Sequence, residues 1–383
     1  MTDLTDRTDL PEILTRPGPW TTAYIDGRGD GPAADEETRL ASLRDALRDA
    51  GAPDHDIDAI VSVAEGTGVP SPSTRYLLVR DGRIEVDETF AVSRHGAEQV
   101  GHDAVPRIVP LLRHRADDMR YLVVETSRDG ADLRLERVGR VHPDTETEVE
   151  GQDYYLTKVR QGGWSQRRYQ ASAEETWKHN QSDVADAVDE IVRERHPAFI
   201  VVAGDVRARQ LLLERVSGGA RQLVVDVDVH TRADGADDSA IDEAIVDKLE
   251  QLARTAIADA TDRAAAGDGA SGAHGTADVI HALQQGQVET LLLDAALLDE
   301  DSEASVVALD DAPWLTTADA AVSGAGEVGT VPLAEGLARA AVLTGAEVMV
   351  VERDEPDGEA RDPRPAQEPI AVLRWPEDDA EAR

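Results

Sequence analysis

Between Val159 and Gln170 the chain reads VRQGGWSQRRYQ, with Gly162-Gly163 as a hinge and Gln166 close behind. Lys158, Arg160, Arg167 and Arg168 flank the pair, and no acidic residue occurs from Tyr154 to Gln170. These residue types suit one kind of chemistry. Glycine lets backbone amides approach a ligand closely, guanidinium and ammonium groups pair with phosphates, and an indole such as Trp164 stacks on an exposed base. Ser165 and Gln166 add polar groups to the same tip. A basic, glycine-hinged segment is built to enter an anionic site, and RNA is the obvious candidate. The bland alternative is an ordinary turn with Trp164 and Tyr169 packed on the body and the arginines solvated.

Other constellations carry less. Asp226, Asp228 and His230 alternate along an expected strand, so they share one face and form a candidate metal set. Alternating polar residues more often mark the solvent side of a strand, and no metal is expected. GAGEVG (Gly324 to Gly329) has the spacing of a dinucleotide loop, but no clear buried strand feeds it and Glu327 would repel a pyrophosphate. A flexible loop is the better reading. Ser165 and His179 lie fourteen residues apart on what should be one helix, about 21 Å along its axis, and cannot meet as nucleophile and base. His95, His102 and His114 lack ligand-like spacing and read as surface residues. Trp177, Trp20 and Trp375 read as core. No cofactor is expected.

The whole chain has the opposite sign from its basic segment. Its 383 residues carry 77 Asp and Glu against 39 Lys and Arg, a formal net charge of -38. That balance argues against nonspecific nucleic-acid binding and predicts a small RNA footprint. Two of the three lysines, Lys158 and Lys178, nonetheless bracket the Gly-Gly pair. There is no cysteine, which excludes disulfides, thiolate metal sites and cysteine nucleophiles. No apolar run approaches membrane-spanning length and no signal-peptide pattern is present, so the expected location is the cytoplasm.

The elements that must hold the segment are legible in outline. WTTAYID is an expected strand, a helix follows on Leu40, Leu43 and Leu47, and RYLLVRDGRIEVDET is a hairpin around Asp81-Gly82. The prolines in VPRIVPLLRHR disfavour a regular interior strand there. YLVVETSRDGADLRLERVGR gives two strands through Asp129-Gly130, and His142 to Gly151 reads as an acidic, turn-rich piece. From Ser172 a helix is expected, with Trp177, Val184, Val188, Ile191 and Val192 near one face. FIVVAGD and QLVVDVDVH are expected strands, ARQLLLERV a helix and Ser239 to Ala266 a long helix. Gly267 to Gly275 reads as a hinge. Then come a helix (276–285), VETLLLD, LAEGLARAAVLTG, AEVMVVE and IAVLRW, with Asp299–Asp311 and Asp354–Asp362 as solvated loops. The fold class is α/β: three domains, the middle and C-terminal ones layered, with mixed sheets covered by helices. The expected divisions are 1–117, an N-terminal α/β domain; 118–268, a middle domain carrying the Gly-Gly loop; and 269–383, a C-terminal α/β docking domain.

That order resembles a known family. Residues 118 to 383 are similar to the middle and C-terminal domains of the archaeal and eukaryotic class-one release factor and Pelota superfamily. There a strand pair leads to a Gly-Gly-Gln loop and a long helix, the place held here by QGGWSQRRYQASAEETWKHNQSDVADAVDEIV. PAFIVVAGD, ADVIHALQQGQVETLLLD, TGAEVMVVE and PIAVLRW also fit. GPWTTAYID, VPRIVPLLRHR and GGWSQRRYQ resemble the bacterial branch, the Rv2629-like proteins related to Balon-type ribosome hibernation factors. No stop-codon motif of the Asn-Ile-Lys-Ser kind is present.

The resemblance implies a ribosomal A-site factor whose middle-domain loop points toward the peptidyl-transferase centre, acting in hibernation or stress protection. The rRNA-binding residues would be Lys158, Arg160, Gly162, Gly163, Trp164, Ser165, Arg167 and Arg168. Elongation factor Tu or a related GTPase would be the contact of the third domain, and the protein would be a monomer off the ribosome. The alternative is a peptidyl-tRNA hydrolase that rescues stalled ribosomes, with Gln166 as the catalytic residue. In release factors the Gln follows the two glycines directly, whereas Trp164 and Ser165 intervene here. A two-residue shift along an extended chain moves a side chain by several ångströms, more than catalytic positioning tolerates. The Gly-Ser-Gln variant of the eukaryotic ribosome quality-control hydrolase keeps the enzyme reading open through Ser165-Gln166.

Overall fold

The computed structural model describes residues 10–27, 33–64, 69, 72–116, 119–140, 143–150, 165–229, 239–266, 270–298, 304–318, 324–352 and 368–375. The chain forms two compact units, one from residues 1–116 with 254–383 and the other from 117–253.

The first unit begins with α1 (Leu10–Leu14), β1 (Trp20–Asp26), α2 (Ala33–Asp49), α3 (Asp54–Ala64), β2 (Thr74–Arg80), β3 (Arg83–Phe90), β4 (Gln99–Asp103) and α4 (Val109–Ala116). Their sheet has the order β3-β2-β1-β4 and is antiparallel at each pairing. The β2–β3 hairpin turns on Asp81 and Gly82, both at positive φ (51° and 73°), as a tight two-residue turn demands. One sheet face packs on Leu40, Leu43, Leu47, Ile57 and Ile60 of α2 and α3. The VPRIVPLLRHR segment becomes α4, because Pro110 falls in the first turn, where a missing N–H costs nothing.

The second unit holds β5 (Arg120–Ser127), β6 (Gly130–Arg137), β7 (Thr145–Glu150), α5 (Ser165–Arg195), β8 (Phe199–Gly204), α6 (Val206–Leu213), α7 (Gly218–Gln222) and β9 (Val224–Asp226). The helix α8 (Ser239–Ala265) follows, and its first part, with Ile241 and Ile245, packs on this sheet. The order is β7-β6-β5-β8-β9, with β5, β8 and β9 parallel. Alternation sorts the side chains: Leu122, Val124, Ile200 and Val202 face α5, while Tyr121, Val123, Phe199 and Val201 face α8. Both faces are covered, which is why FIVVAG is apolar throughout. Two expectations change here. The acidic piece at 142–151 contains the strand β7, paired to β6 from Leu135↔Thr145 to Gly130↔Glu150; its glutamates suit an edge, where charge blocks further strand addition. QLVVDVDVH supplies only the short edge strand β9, since it alternates valine with aspartate instead of burying both faces.

The remainder of the first unit is β10 (Gly272–His274), α9 (Thr276–Gln284), β11 (Val288–Asp294), β12 (Ser305–Leu309), β13 (Leu315–Thr316), β14 (Glu327–Pro332), α10 (Leu333–Leu343), β15 (Glu347–Val351) and β16 (Ile370–Leu373). The sheets are β10-β16-β11-β15 and β13-β12-β14. The expected hinge therefore contains a strand, at Gly272, where a Cβ would lie 2.2 Å from the Ala264 carbonyl oxygen. The expected loop at 299–311 contains β12, whose Val306 to Leu309 are buried. Residues 354–362 lie outside the described residues.

Residues from both ends of the sequence share this unit's core, among them Trp20, Tyr24, Ile108, Leu291, Val306 and Leu337. Buried polar groups of α10 hold the two parts together. The Glu335 carboxylate accepts from the Ile108 and Val109 amides at 2.7 and 3.2 Å, donors that the start of α4 leaves without helical partners. Arg339, one turn on, donates to Leu14 O, Leu309 O and Trp314 O. Burial pushes the Glu335 carboxyl up to about 7, although both amides pull it down. Its folded pKa thus stands above the unfolded value of about 4.3, so its contribution is full at low pH and falls as pH rises through 7. Relative to Glu335→Gln, the parent should lose about 2–3 kcal/mol between pH 4.5 and 7.5. Urea midpoints of both proteins across that range test this, and parallel profiles would contradict it.

His114 is a further correction, being buried at 3% exposure. It stacks on Phe90 at 4.4 Å and meets the Tyr24 hydroxyl at 2.9 Å. Burial first, then His95 and Arg113, pushes the ring down to about 3, so it stays neutral. His102 sits against the buried Thr21 hydroxyl at 2.9 Å.

Candidate nucleic-acid interface

The last part of the basic segment, from Ser165 on, begins α5, which is longer than the sheet beneath it. Its 31 residues span about 46 Å, whereas β5 and β8, eight and six residues long, reach about 20–27 Å. The chain passes from β5 to the parallel β8 through α5, so the helix runs back along the sheet. Val184, Ala185 and Val188 pack it down. At the far end His196, with φ 51°, and Pro197 stop the helix.

The sheet's other end grips α5 at Asn180 and Gln181, both fully buried. Gln181 donates to Ser127 O at 2.8 Å and accepts from the Thr126 hydroxyl at 2.9 Å. Asn180 donates to Arg128 O at 3.1 Å. The Arg128 guanidinium lies 4.7 Å from the half-buried Trp177 ring, a cation–π contact, and donates to Asp205 at 3.1 Å. Asp205 caps α6 through the Arg207 and Ala208 amides. Burial raises its carboxyl, but those amides and Arg128 outweigh this and hold it below the usual range. Trp177 is therefore an arginine-stacked residue at the sheet's end and not core.

Toward its start α5 continues for fifteen residues from Asn180 to Ser165, about 22 Å. Ser165, Gln166, Arg167 and Arg168 form its first turn, so Gln166 stands on a helical backbone and not on an extended loop. Lys158, Arg160, Gly162, Gly163 and Trp164 lie outside the described residues. The stretch 151–164 that contains them leaves β7 at Glu150, which pairs with Gly130 beside the β5–β6 turn. That is the turn Asn180 and Gln181 hold. Sequence reasoning missed both amides, although they stand three and four residues before Val184 and so on its face.

The rival constellations dissolve. Asp226 and Asp228 both accept from the buried Arg209 guanidinium, which also donates to Val227 O at 2.7 Å, so a cation already occupies their acceptors. His230 lies outside the described residues. No group of metal-ligating side chains occurs among the described residues. GAGEVG runs into the strand β14 and not a helix, and the Gly326 amide is taken by Asp310 at 2.7 Å. Ser165 and His179 both stand on α5, too far apart to meet. No helix among the described residues is long and apolar enough to cross a membrane.

Of the comparisons with known proteins, the family match lies mainly on this unit, and the others extend over most of the chain. Residues 120–270 match the model of the bacterial archaeo-eukaryotic release factor family 2. Protein Rv2629 of Mycobacterium tuberculosis is 27% identical over 312 residues, covering 77% of this chain and 78% of the relative. Among solved structures, S. cerevisiae Dom34, a translation termination-like factor, aligns with 81% of this chain and 82% of its own at 11% identity and a TM-score of 0.41. Archaeoglobus fulgidus Pelota aligns over 80% of each chain at 16% identity and a TM-score of 0.35. At such scores the two structures add nothing to the reading of the site.

Proposed function

We propose, for a chain whose residues 120–270 match the bacterial archaeo-eukaryotic release factor family 2, the role of a ribosome-associated factor that occupies the A site and protects idle ribosomes. The observation that carries this reading is the overlong helix α5. It extends about 22 Å beyond Asn180, which with Gln181 holds it at the sheet's end, and places Arg167 and Arg168 in its first turn, next in sequence to the Gly-Gly pair. A helix start is itself a region of positive potential, and two arginines there strengthen it within an otherwise acidic protein. The residue types of the segment suit entry into a channel walled by RNA phosphates, and the indole of Trp164 is a side chain of the kind that stacks on bases. The negative body limits binding to that one tip and disfavours RNA at large. In this reading residues 118–268 reach toward the peptidyl-transferase centre, and residues 269–383 are the docking region for elongation factor Tu or a related GTPase.

The second reading, ester hydrolysis through Gln166, draws on Ser165-Gln166. Its weakness is that Gln166 follows the glycines by two extra residues and stands within α5. Gln166→Ala separates the two. Occupation of idle ribosomes predicts near-parental affinity and an intact peptidyl-tRNA ester in both proteins, followed over time on loaded ribosomes. Cleavage by the parent that disappears in Gln166→Ala would establish the hydrolase instead.

A further inference from the structure

Asn180 and Gln181 are an uneconomical way to pack a helix on a sheet. Leucine at either position would fill space without desolvating an amide. Both side chains are fully buried, and both reach main-chain carbonyls of consecutive residues, Arg128 and Ser127. Apolar contact tolerates slippage of a helix along its seat, whereas fully satisfied buried polar networks specify one geometry. The turn they grip is also fixed from its other side. The Asp205 amide donates to Thr126 O at 3.0 Å, and Gly204 lies so close that a Cβ there would stand 2.0 Å from the same oxygen. The last residue of β7, Glu150, pairs with Gly130 of the same turn.

We infer that Asn180, Gln181 and the Trp177–Arg128 stack form a mount that fixes the register and direction of α5, and so aims its basic end. The leverage is large. A tilt of 10° at Asn180 moves the start of α5 by about 4 Å over its 22 Å reach, beyond the roughly 0.5 Å that functional constellations need. These are positioning residues, acting through the helix and touching no RNA themselves. The inference rests on the proposed ribosomal role for its purpose, though not for its geometry.

The chain has no cysteine, so cysteines introduced at Ser172 on α5 and Arg221 on α7 can carry spin labels alone. Distances between them are to be measured in the parent, Gln181→Leu and Asn180→Leu, well below each unfolding transition. The distribution should broaden about twofold or shift, with helix content retained, and affinity for vacant ribosomes should fall about tenfold. Should a leucine variant fail to fold, Trp177→Ala removes the half-buried stack and serves in its place. Unchanged distributions would overturn the mount, whether or not the protein binds ribosomes. A broadened distribution with parental affinity would overturn its aiming role. A parent that binds no ribosome would instead defeat the proposed function, while the distances still decide the mount.

Discussion

Replacing Arg167 and Arg168 together by glutamate is expected to weaken binding to vacant ribosomes about a hundredfold near physiological salt, or about 3 kcal/mol. Each phosphate pair releases condensed counterions, so log affinity falls with log salt by nearly one unit per contact. Losing two contacts should flatten that slope by about two, a signature that general unfolding would not give. The matched control is Arg193→Glu with Arg195→Glu, the same charge change at the other, exposed end of α5. An acidic protein repelled as a whole would respond alike to both pairs. An aimed basic tip responds to the first alone, and equal losses would contradict the account.

Gly204→Ala should be the most damaging single substitution at the sheet's end. Gly204 holds φ at 113°, a region open to glycine, and its missing side chain lets Thr126 O approach where a Cβ would sit 2.0 Å away. Backbone is the obstacle, so no rotamer change relieves it. β8 would have to part from β5 at the Thr126↔Gly204 pair, loosening the turn that α5 grips. The expected cost is about 3 kcal/mol or more. Hydrogen exchange can read it locally, with protection lost in β5 and β8 amides and retained in β11. Unchanged protection across both strands would show that the close approach is not required.

Elements whose own residues state their burial were legible in the sequence. FIVVAG and VETLLLD are apolar enough to be interior strands, and Asp81-Gly82 and Asp129-Gly130 mark the β2–β3 and β5–β6 hairpins. β7, β10 and β12 were not legible, because each is short and flanked or filled by acidic or small residues that do not by themselves signal a strand. The joining of the first and last parts of the chain was hidden for the same reason. Glu335 reaches α4 across 226 and 227 residues, and nothing local in LAEGLARA signals a buried carboxylate. His114 lies in an RHR string that reads as surface, yet it stands three residues past the buried Leu111 on one helix face.

The candidate site was visible through charge and glycine, since a basic run in so acidic a chain is conspicuous. Its support was not. Asn180 and Gln181 look like surface amides until their spacing to Val184 and Val188 is counted, and only the fold shows the carbonyls they meet. The length of α5 relative to its sheet also needed the strands to be placed first. That overhang ties the basic residues to a direction, and a composition argument has no direction in it.

The most direct test is cosedimentation of the purified protein with vacant 70S ribosomes, repeated with ribosomes carrying peptidyl-tRNA whose ester is followed over time. The account predicts tight, salt-sensitive binding to vacant ribosomes with the ester left intact. Failure to sediment with either ribosome would contradict it.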